Sequence, residues 1–339
     1  MKPVVIFVIL CFPFLGFLKK PSAPLVKLSE YGFFKGEMKN QDPSDRVIPY
    51  HLNTPLFSDN AEKLRFVKLP AGAKLSYNDS TVLDFPIGTA LIKTFYFPLD
   101  FRDQSKGRKL IETRILLHEE SGWKAFPYIW NEEQTEAVLD VAGISTTVSY
   151  IDMQGKKKNH AYVVPNMNQC KGCHNRQEKM MPIGPSAWQL NGMHDYGTKQ
   201  VNQLQYWQEA GILESVSGVV PKGVVWNDPS TGTLDERARI WLDINCAHCH
   251  RVDGPASSSG LHLGWMEKDK LKIGIEKTPV AAGRGSGNLR FGIVPGKPDE
   301  SILLFRLKST DPGIMMPELG RTQLQAEAVA LIREWISKM

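Results

Sequence analysis

Two pentapeptides, CKGCH at 170–174 and CAHCH at 246–250, constrain this 339-residue chain more than any other feature. Each sets two thiols one helical turn apart and follows the second directly with an imidazole. That is the pattern of covalent c-type haem attachment. The thiols add to the two vinyl groups, and the histidine is held under the macrocycle as the proximal iron ligand. With five Cys and eight His in the chain, roughly 0.002 copies are expected by chance, against two found.

Two other chemistries use Cys pairs at this spacing. Zinc takes Cys₄ or Cys₂His₂ sets, but the stretch separating Cys173 from Cys246 far exceeds the linker of a finger or ribbon, and zinc requires no histidine after both pairs. A redox dithiol belongs with a βαβ pattern, and none surrounds either pair. The expected cofactors are therefore two covalently bound haem c groups on Cys170, Cys173, Cys246 and Cys249, with His174 and His250 as proximal ligands.

Haem attachment of this kind requires export, and the N-terminus agrees. Residues 3–18, PVVIFVILCFPFLGFL, form an apolar run behind Lys2. It is short for a spanning helix and fits the apolar core of a signal. Residues 1–20 thus read as a signal peptide or an uncleaved anchor, with the mature protein in the periplasm or outer cell envelope. Leu10 before Cys11 argues against a lipoprotein. Of the net charge of +5, three charges come from Lys2, Lys19 and Lys20. No concentrated basic stripe remains for nucleic acid, and any membrane contact is confined to the N-terminal anchor.

Each haem needs a second axial position. For the haem on His250, MMPELG (315–320) supplies it. Met316 is preferred over Met315 because a residue before proline is held extended, and His/Met ligation suits electron transfer. For the haem on His174 the distal side stays open between Met181, which also precedes a proline, Met193, His194, a residue of the β-rich region, or no protein ligand. An open iron there would suit a peroxidase-like dihaem oxidoreductase instead of an electron carrier. A third reading makes the β-rich region a binding module for a glycan or a protein.

Along the chain, 21–45 reads as a linker. Residues 46–165 are strand-rich: ALIKTFYF (90–97), KLIETRILLHE (109–119), GWKAFPYIW (122–130), TEAVLDV (135–141) and TTVSYI (146–151) are alternating, β-branched or aromatic. Lys156–Lys158 reads as a solvated hairpin tip. The first haem module is predicted at 166–225, with a helix at 198–213 carrying Val201, Leu204 and Trp207 and stopped by Gly211. The second is predicted at 230–339. Thr233–Glu236 and Thr322–Gln325 both read as capping boxes, the latter opening a helix with Leu324, Ala328, Leu331, Ile332, Trp335 and Ile336 on one stripe. GRGSG (283–287) reads as a plain turn, or as a loop whose Arg284 pairs a haem propionate. Trp123, Trp130, Trp188 and Trp207 read as core or pocket wall. The predicted fold class is α+β multidomain: an N-terminal all-β sandwich-like domain, then two mainly α-helical cytochrome c-type haem modules.

The tail from LDERARIWLDINCAHCH to MMPELGR and the last helix resembles class I cytochrome c, and VPGKPDESILLFRL is similar to a segment inserted in cytochrome domains of planctomycetes and related bacteria. Over residues 46–339 the chain resembles a family of exported bacterial dihaem c-type cytochromes. That likeness is carried by LNTPLFSDNAEKLRFVKLP (52–70), FPLDFRDQSKGRKLIETRILLHE (97–119), VVPNMNQCKGCH (163–174), PIGPSAWQLN (182–191), LDINCAHCH (242–250), PVAAGRGSG (279–287) and VPGKPDESILLFRL (294–307). The resemblance implies two covalent haems, electron transfer to a redox partner protein, and a β-helix repeat protein as one such partner.

Overall fold

The computed structural model describes residues 23–78, 82–197, 199–216, 219–221 and 223–339. Residues 1–20, expected as an export signal or anchor and containing Cys11, lie outside them. Among the described residues, no helix is long and apolar enough to cross a membrane.

The organising element is one six-stranded antiparallel sheet in meander order: β1 (Val47–Pro49), β2 (Glu62–Lys68), β3 (Ala90–Pro98), β4 (Arg108–Glu119), β5 (Gly122–Trp130) and β6 (Ala137–Leu139). Three of the expected strands coincide with β3, β4 and β5 almost residue for residue. A separate hairpin pairs β7 (Ile144–Ile151) with β8 (Lys157–Val164); of the expected tip only Lys156 lies in the turn, while Lys157 and Lys158 open β8, all three exposed. Gly143, at φ +77°, lets the chain enter β7. A Cβ there would sit 2.7 Å from the Val164 carbonyl oxygen and 2.8 Å from the Asn166 nitrogen, so a side chain would push away the segment that opens the first haem motif.

Both faces of this sheet are covered, one of them in part by the β7–β8 hairpin. One face packs Phe66, Ile92, Ile115, Phe126 and Tyr128 against Leu28, Phe33 and Phe34. The segment expected as a free linker at 21–45 is therefore partly core. The opposite face is divided. At one end Phe95 and Ile111 pack against Val148, Tyr150, Tyr162 and Val164 of the hairpin. At the other, Val67, Leu91 and Trp123 pack against Ala187, Leu190, Leu204 and Trp207. Those last residues come from α2 (Ala187–Leu190) and α3 (Gln203–Glu209), which follow α1 (Met167–Cys173).

This packing corrects the predicted fold class. The β part is a single meander with an accessory hairpin, not a sandwich, and the two mainly helical haem modules do not exist as such. Residues 166–225 hold three short helices and two small hairpins, 175–180 and 193–202, laid on the sheet instead of around a core of their own. The helix expected at 198–213 is shortened because Gln200–Asn202 pairs as a strand with Met193–Asp195. Asn202 then caps α3, its side chain accepting from the Leu204 nitrogen.

The C-terminal region does have its own core. Trp241 and Leu242 of α4 (Leu234–Leu242), Leu304 and Leu307 of α6 (Ile302–Leu307), and Leu331, Ile332, Trp335 and Ile336 of α7 (Ala326–Ser337) meet there. Even so, the longest of these helices has 12 residues, and α5 (Lys270–Ile273) is a single turn. Glycines and prolines between 254 and 298 break the intervening chain into turns and 3₁₀ pieces. GRGSG is such a turn, with Arg284 paired to Asp311 at 3.0 Å on the surface.

One capping box forms and the other does not. Thr233 accepts from the Glu236 nitrogen while Glu236 reaches back to the Thr233 nitrogen at 2.8 Å. Thr233→Ala is expected to cost about 1 kcal/mol, read as a lower urea midpoint. Thr322 caps nothing: α7 starts at Ala326, and Thr322 binds Asp59 instead. Leu324 is exposed, while Ala328, Leu331, Ile332, Trp335 and Ile336 are buried.

Candidate haem-attachment site

The first motif sits on a helix. Asn166 and Gln169 form a capping box that opens α1, so Cys170 and Cys173 fall one turn apart on its last turns and His174 closes it. The Asn-x-x-Gln pair at 166–169 is the sequence signal for this helix. The second motif follows α4 through a π-helical turn, Asp243–Ala247, that contains Cys246. Such a turn holds the chain in an unusual winding and is frequent at functional sites. It is braced from outside: Asn245 accepts from the Phe57 nitrogen at 3.0 Å, and Asp243 from the Trp265 nitrogen at 3.1 Å.

All four thiols are free, so neither pair is a disulfide. Burial pushes Cys246 and Cys249 up to about 12 and raises Cys170 and Cys173. A reactive redox dithiol needs the opposite shift. Among the described residues no three His, Cys, Asp or Glu side chains gather as a metal-binding group.

The imidazoles are arranged alike. His174 Nδ1 lies 3.0 Å from the Met181 carbonyl oxygen. A carbonyl only accepts, so the proton is on Nδ1 and the Nε2 lone pair is free. His250 Nδ1 lies 3.0 Å from Ser259 Oγ, whose own proton goes to the Ala256 carbonyl at 2.7 Å. Here too Nδ1 must be the donor. Burial holds His174 down to about 3 and His250 down to about 4, with Lys93 and Arg306 respectively adding to it, so both rings are neutral. A neutral ring with Nδ1–H tied to an acceptor and Nε2 available is what a haem iron requires of its proximal ligand.

The motifs also adjoin one another. Arg176, just past His174, pairs with Asp253, just past His250, and the Gln177 nitrogen donates to the Asp253 carbonyl at 2.9 Å. A Cβ built on Gly172, inside the first motif, would lie 3.3 Å from Leu319 Cδ1 in the loop that carries Met316. After burial, the largest contribution raising the Cys249 thiol is Cys173.

Beside the first motif opens a cavity of about 730 Å³, within the usual range of cofactor sites. Cys170, Cys173 and His174 line it, with Ala247 and His248 of the second motif, Trp188 and Trp265, and Arg65, Lys93 and Arg114 of the sheet. The residues therefore fit a haem at His174 both by donor set and by space.

The distal candidates are placed as follows. Met181 also lines the cavity, but its backbone holds Nδ1 of His174, and its nitrogen donates to the His174 carbonyl at 3.0 Å. Its backbone is thus behind the ring, remote from Nε2. Met193 is 61% exposed on its strand, and the His194 ring lies tilted at 42° against His51, centroids 4.6 Å apart; neither lines the cavity. Met316 is half-buried and Met315 buried. Their loop is fixed by two guanidinium groups. Arg321 donates to the carbonyls of Met316, Ser309 and Arg306 at 2.8, 2.9 and 3.3 Å, and Arg306 to that of Ile314 at 2.8 Å. Arg306 acts electrostatically on His250 and Arg321 on Cys246, so the loop borders the second motif.

Sequence reasoning missed Asp59, Asn245 and Arg321, all buried polar groups that hold these segments. Asp59 lies in a stretch whose only signal was its likeness to a family. Comparison with known protein families, curated proteins and solved structures gives no match.

Proposed function

We propose that this protein is a dihaem c-type cytochrome that transfers electrons in the cell envelope. Cys170 and Cys173 would hold one haem with His174 as proximal ligand, and Cys246 and Cys249 the other with His250. The observation that carries this reading is the adjacency of the two motifs through Arg176, Gln177 and Asp253: electron passage between haems falls off with distance, and unrelated attachment sites have no reason to be bridged. When bound, the haems supply one-electron iron couples whose potentials follow axial ligand, charge and burial. The chain's part is to hold the two groups side by side, to fix each imidazole by its Nδ1–H, and to present Met316 through Arg306 and Arg321. Covalent attachment outside the cytoplasm agrees with the apolar N-terminus. The family resemblance supports a redox partner protein, with a β-helix repeat protein as one such partner.

The test is the haem content per chain by pyridine haemochrome, with optical and EPR spectra of the oxidised protein. Two haems per chain are expected, one showing the far-red charge-transfer band of Met–Fe(III) ligation. Met316→His is expected to abolish that band and lower one midpoint potential, since a Met/His pair raises it. A band that survives the substitution removes Met316 from the reading.

A second reading, a peroxidase-like dihaem oxidoreductase, is favoured by one observation: Met193 does not line the cavity, and the Met181 backbone lies on the Nδ1 side of His174. It expects a high-spin component that binds cyanide; two low-spin haems would dispose of it.

A further inference from the structure

Sheet register aligns three cations. Arg65 of β2 is paired directly with Lys93 of β3, and Lys93 with Arg114 of β4. All three line the cavity with Cys170, Cys173 and His174. Like charges directly opposed across strands are destabilising, and a charge out of water costs more unless it is paired. On this face the row is flanked by Val67, Leu91 and Leu116 on one side and by Lys63, Phe95 and Glu112 on the other.

Only one of the three is neutralised by the protein. Glu112, fully buried, accepts from Arg114 Nε at 2.7 Å and Nη2 at 2.5 Å, and from the Tyr162 hydroxyl at 2.7 Å. Among the described residues no ion pair reaches Arg65 or Lys93; Lys93 Nζ has only the Phe95 ring, 5.1 Å from its centroid. The cavity's acids are engaged elsewhere or face solvent. Asp253 binds Arg176 and Arg251, Asp243 the Trp265 nitrogen, and Glu267 the nitrogens of Lys268 and Asp269, while Asp84 is exposed. Arg65 and Lys93 thus face the cavity with no carboxylate in an ion pair with either, Glu62 and Glu112 acting on them only at longer range.

We infer that Arg65, Lys93 and Arg114 form a carboxylate-binding row whose ligand is the pair of propionates of the haem anchored at Cys170, Cys173 and His174. This rests on the dihaem reading. Two basic side chains without an ion-pair partner match two propionates, and the row gives the sheet a role: its meander face, and not a helical module, completes the first haem pocket. A free inorganic anion would satisfy the same chemistry, and the experiment separates the two.

The full-length exported protein is titrated potentiometrically as wild type, Lys93→Gln, Arg65→Gln and Lys93→Arg, with haem content measured on each. Two haems per chain in every variant are expected. One midpoint potential should fall in both Gln variants, the other should stay put, and Lys93→Arg should restore the wild-type value. The propionate bending modes in the resonance Raman spectrum should shift with the same variants. Two haems with unmoved potentials and unmoved propionate modes would overturn the assignment while leaving the dihaem reading intact. So would a wild-type potential that follows added inorganic phosphate at constant ionic strength. A chain without covalent haem would overturn the dihaem reading itself.

Discussion

The double variant Cys170→Ala/Cys173→Ala, produced in a host that exports and attaches haem c, is expected to carry one covalent haem per chain instead of two. Pyridine haemochrome content should halve, and intact mass should fall by one haem. The remaining haem should keep the far-red Met–Fe(III) band. The argument is structural. The second motif leaves α4 through a π-helical turn seated in the C-terminal core and braced by Asn245 and Asp243. None of those contacts involves α1. The first motif sits on a helix capped by Asn166 and Gln169, and that cap does not depend on the thiols, so the alanines leave the local fold in place. The two single variants, Cys170→Ala and Cys173→Ala, should each retain the haem through one thioether with a shifted α band. Loss of both haems in the double variant would show that the motifs load as one unit; retention of both would remove the first motif from the attachment reading.

How far the sequence could be read follows from the range over which each signal acts. Most local signals were reliable, the Thr322–Gln325 box being an exception. The alternation of 90–97, 109–119 and 122–130 marked the central strands, Thr233 with Glu236 marked α4, and the helical stripe from Ala328 to Ile336 marked α7. What could not be read was which element covers which. β2 has the run Glu-Lys-Leu-Arg-Phe-Val-Lys, in which Leu64 and Phe66 look inward and Lys63 and Arg65 look like a solvated face. Arg65 is instead 8% exposed on a cavity wall, because the face that sequence assigns to water is covered by α2, α3 and the haem motif. The same blindness produced the helical-module expectation. Leu204 and Trp207 were correctly seen as an apolar helix face, but their partners are Val67, Leu91 and Trp123 of the sheet. Of the site, the thiols and imidazoles were legible as residues. Their adjacency was not, since it depends on a pairing between Arg176 and Asp253 that no periodicity announces.

Asp59 is expected to be the most sensitive structural residue outside the haem motifs. It lies at a tight bend, at φ +49°, and is 5% exposed. Its carboxylate accepts from the Thr322 nitrogen at 2.7 Å, the Thr322 hydroxyl at 2.9 Å and the Gln323 nitrogen at 2.8 Å. His160 Nε2 stands 3.5 Å away. One side chain from the loop before β2 thus ties down the chain between the Met316 loop and α7. Asp59→Ala leaves two backbone N–H groups and a hydroxyl without their acceptor, and is expected to cost about 3 kcal/mol, measured as a lower denaturant midpoint with an unchanged slope. Burial works against ionisation of Asp59, but the nearby His160 ring and the hydrogen bonds from Thr322 and Gln323 outweigh it, and its pKa is held below the ordinary carboxylate value. A carboxylate depressed in the folded state contributes stability above the unfolded pKa and loses it as pH falls through the folded one. The gap between wild type and Asp59→Asn should therefore be full at neutral pH and begin to close below pH ~4. A gap that stays constant down to pH ~2 would mean that the carboxylate's charge is not what holds Thr322 and Gln323, and that shape alone fixes this corner.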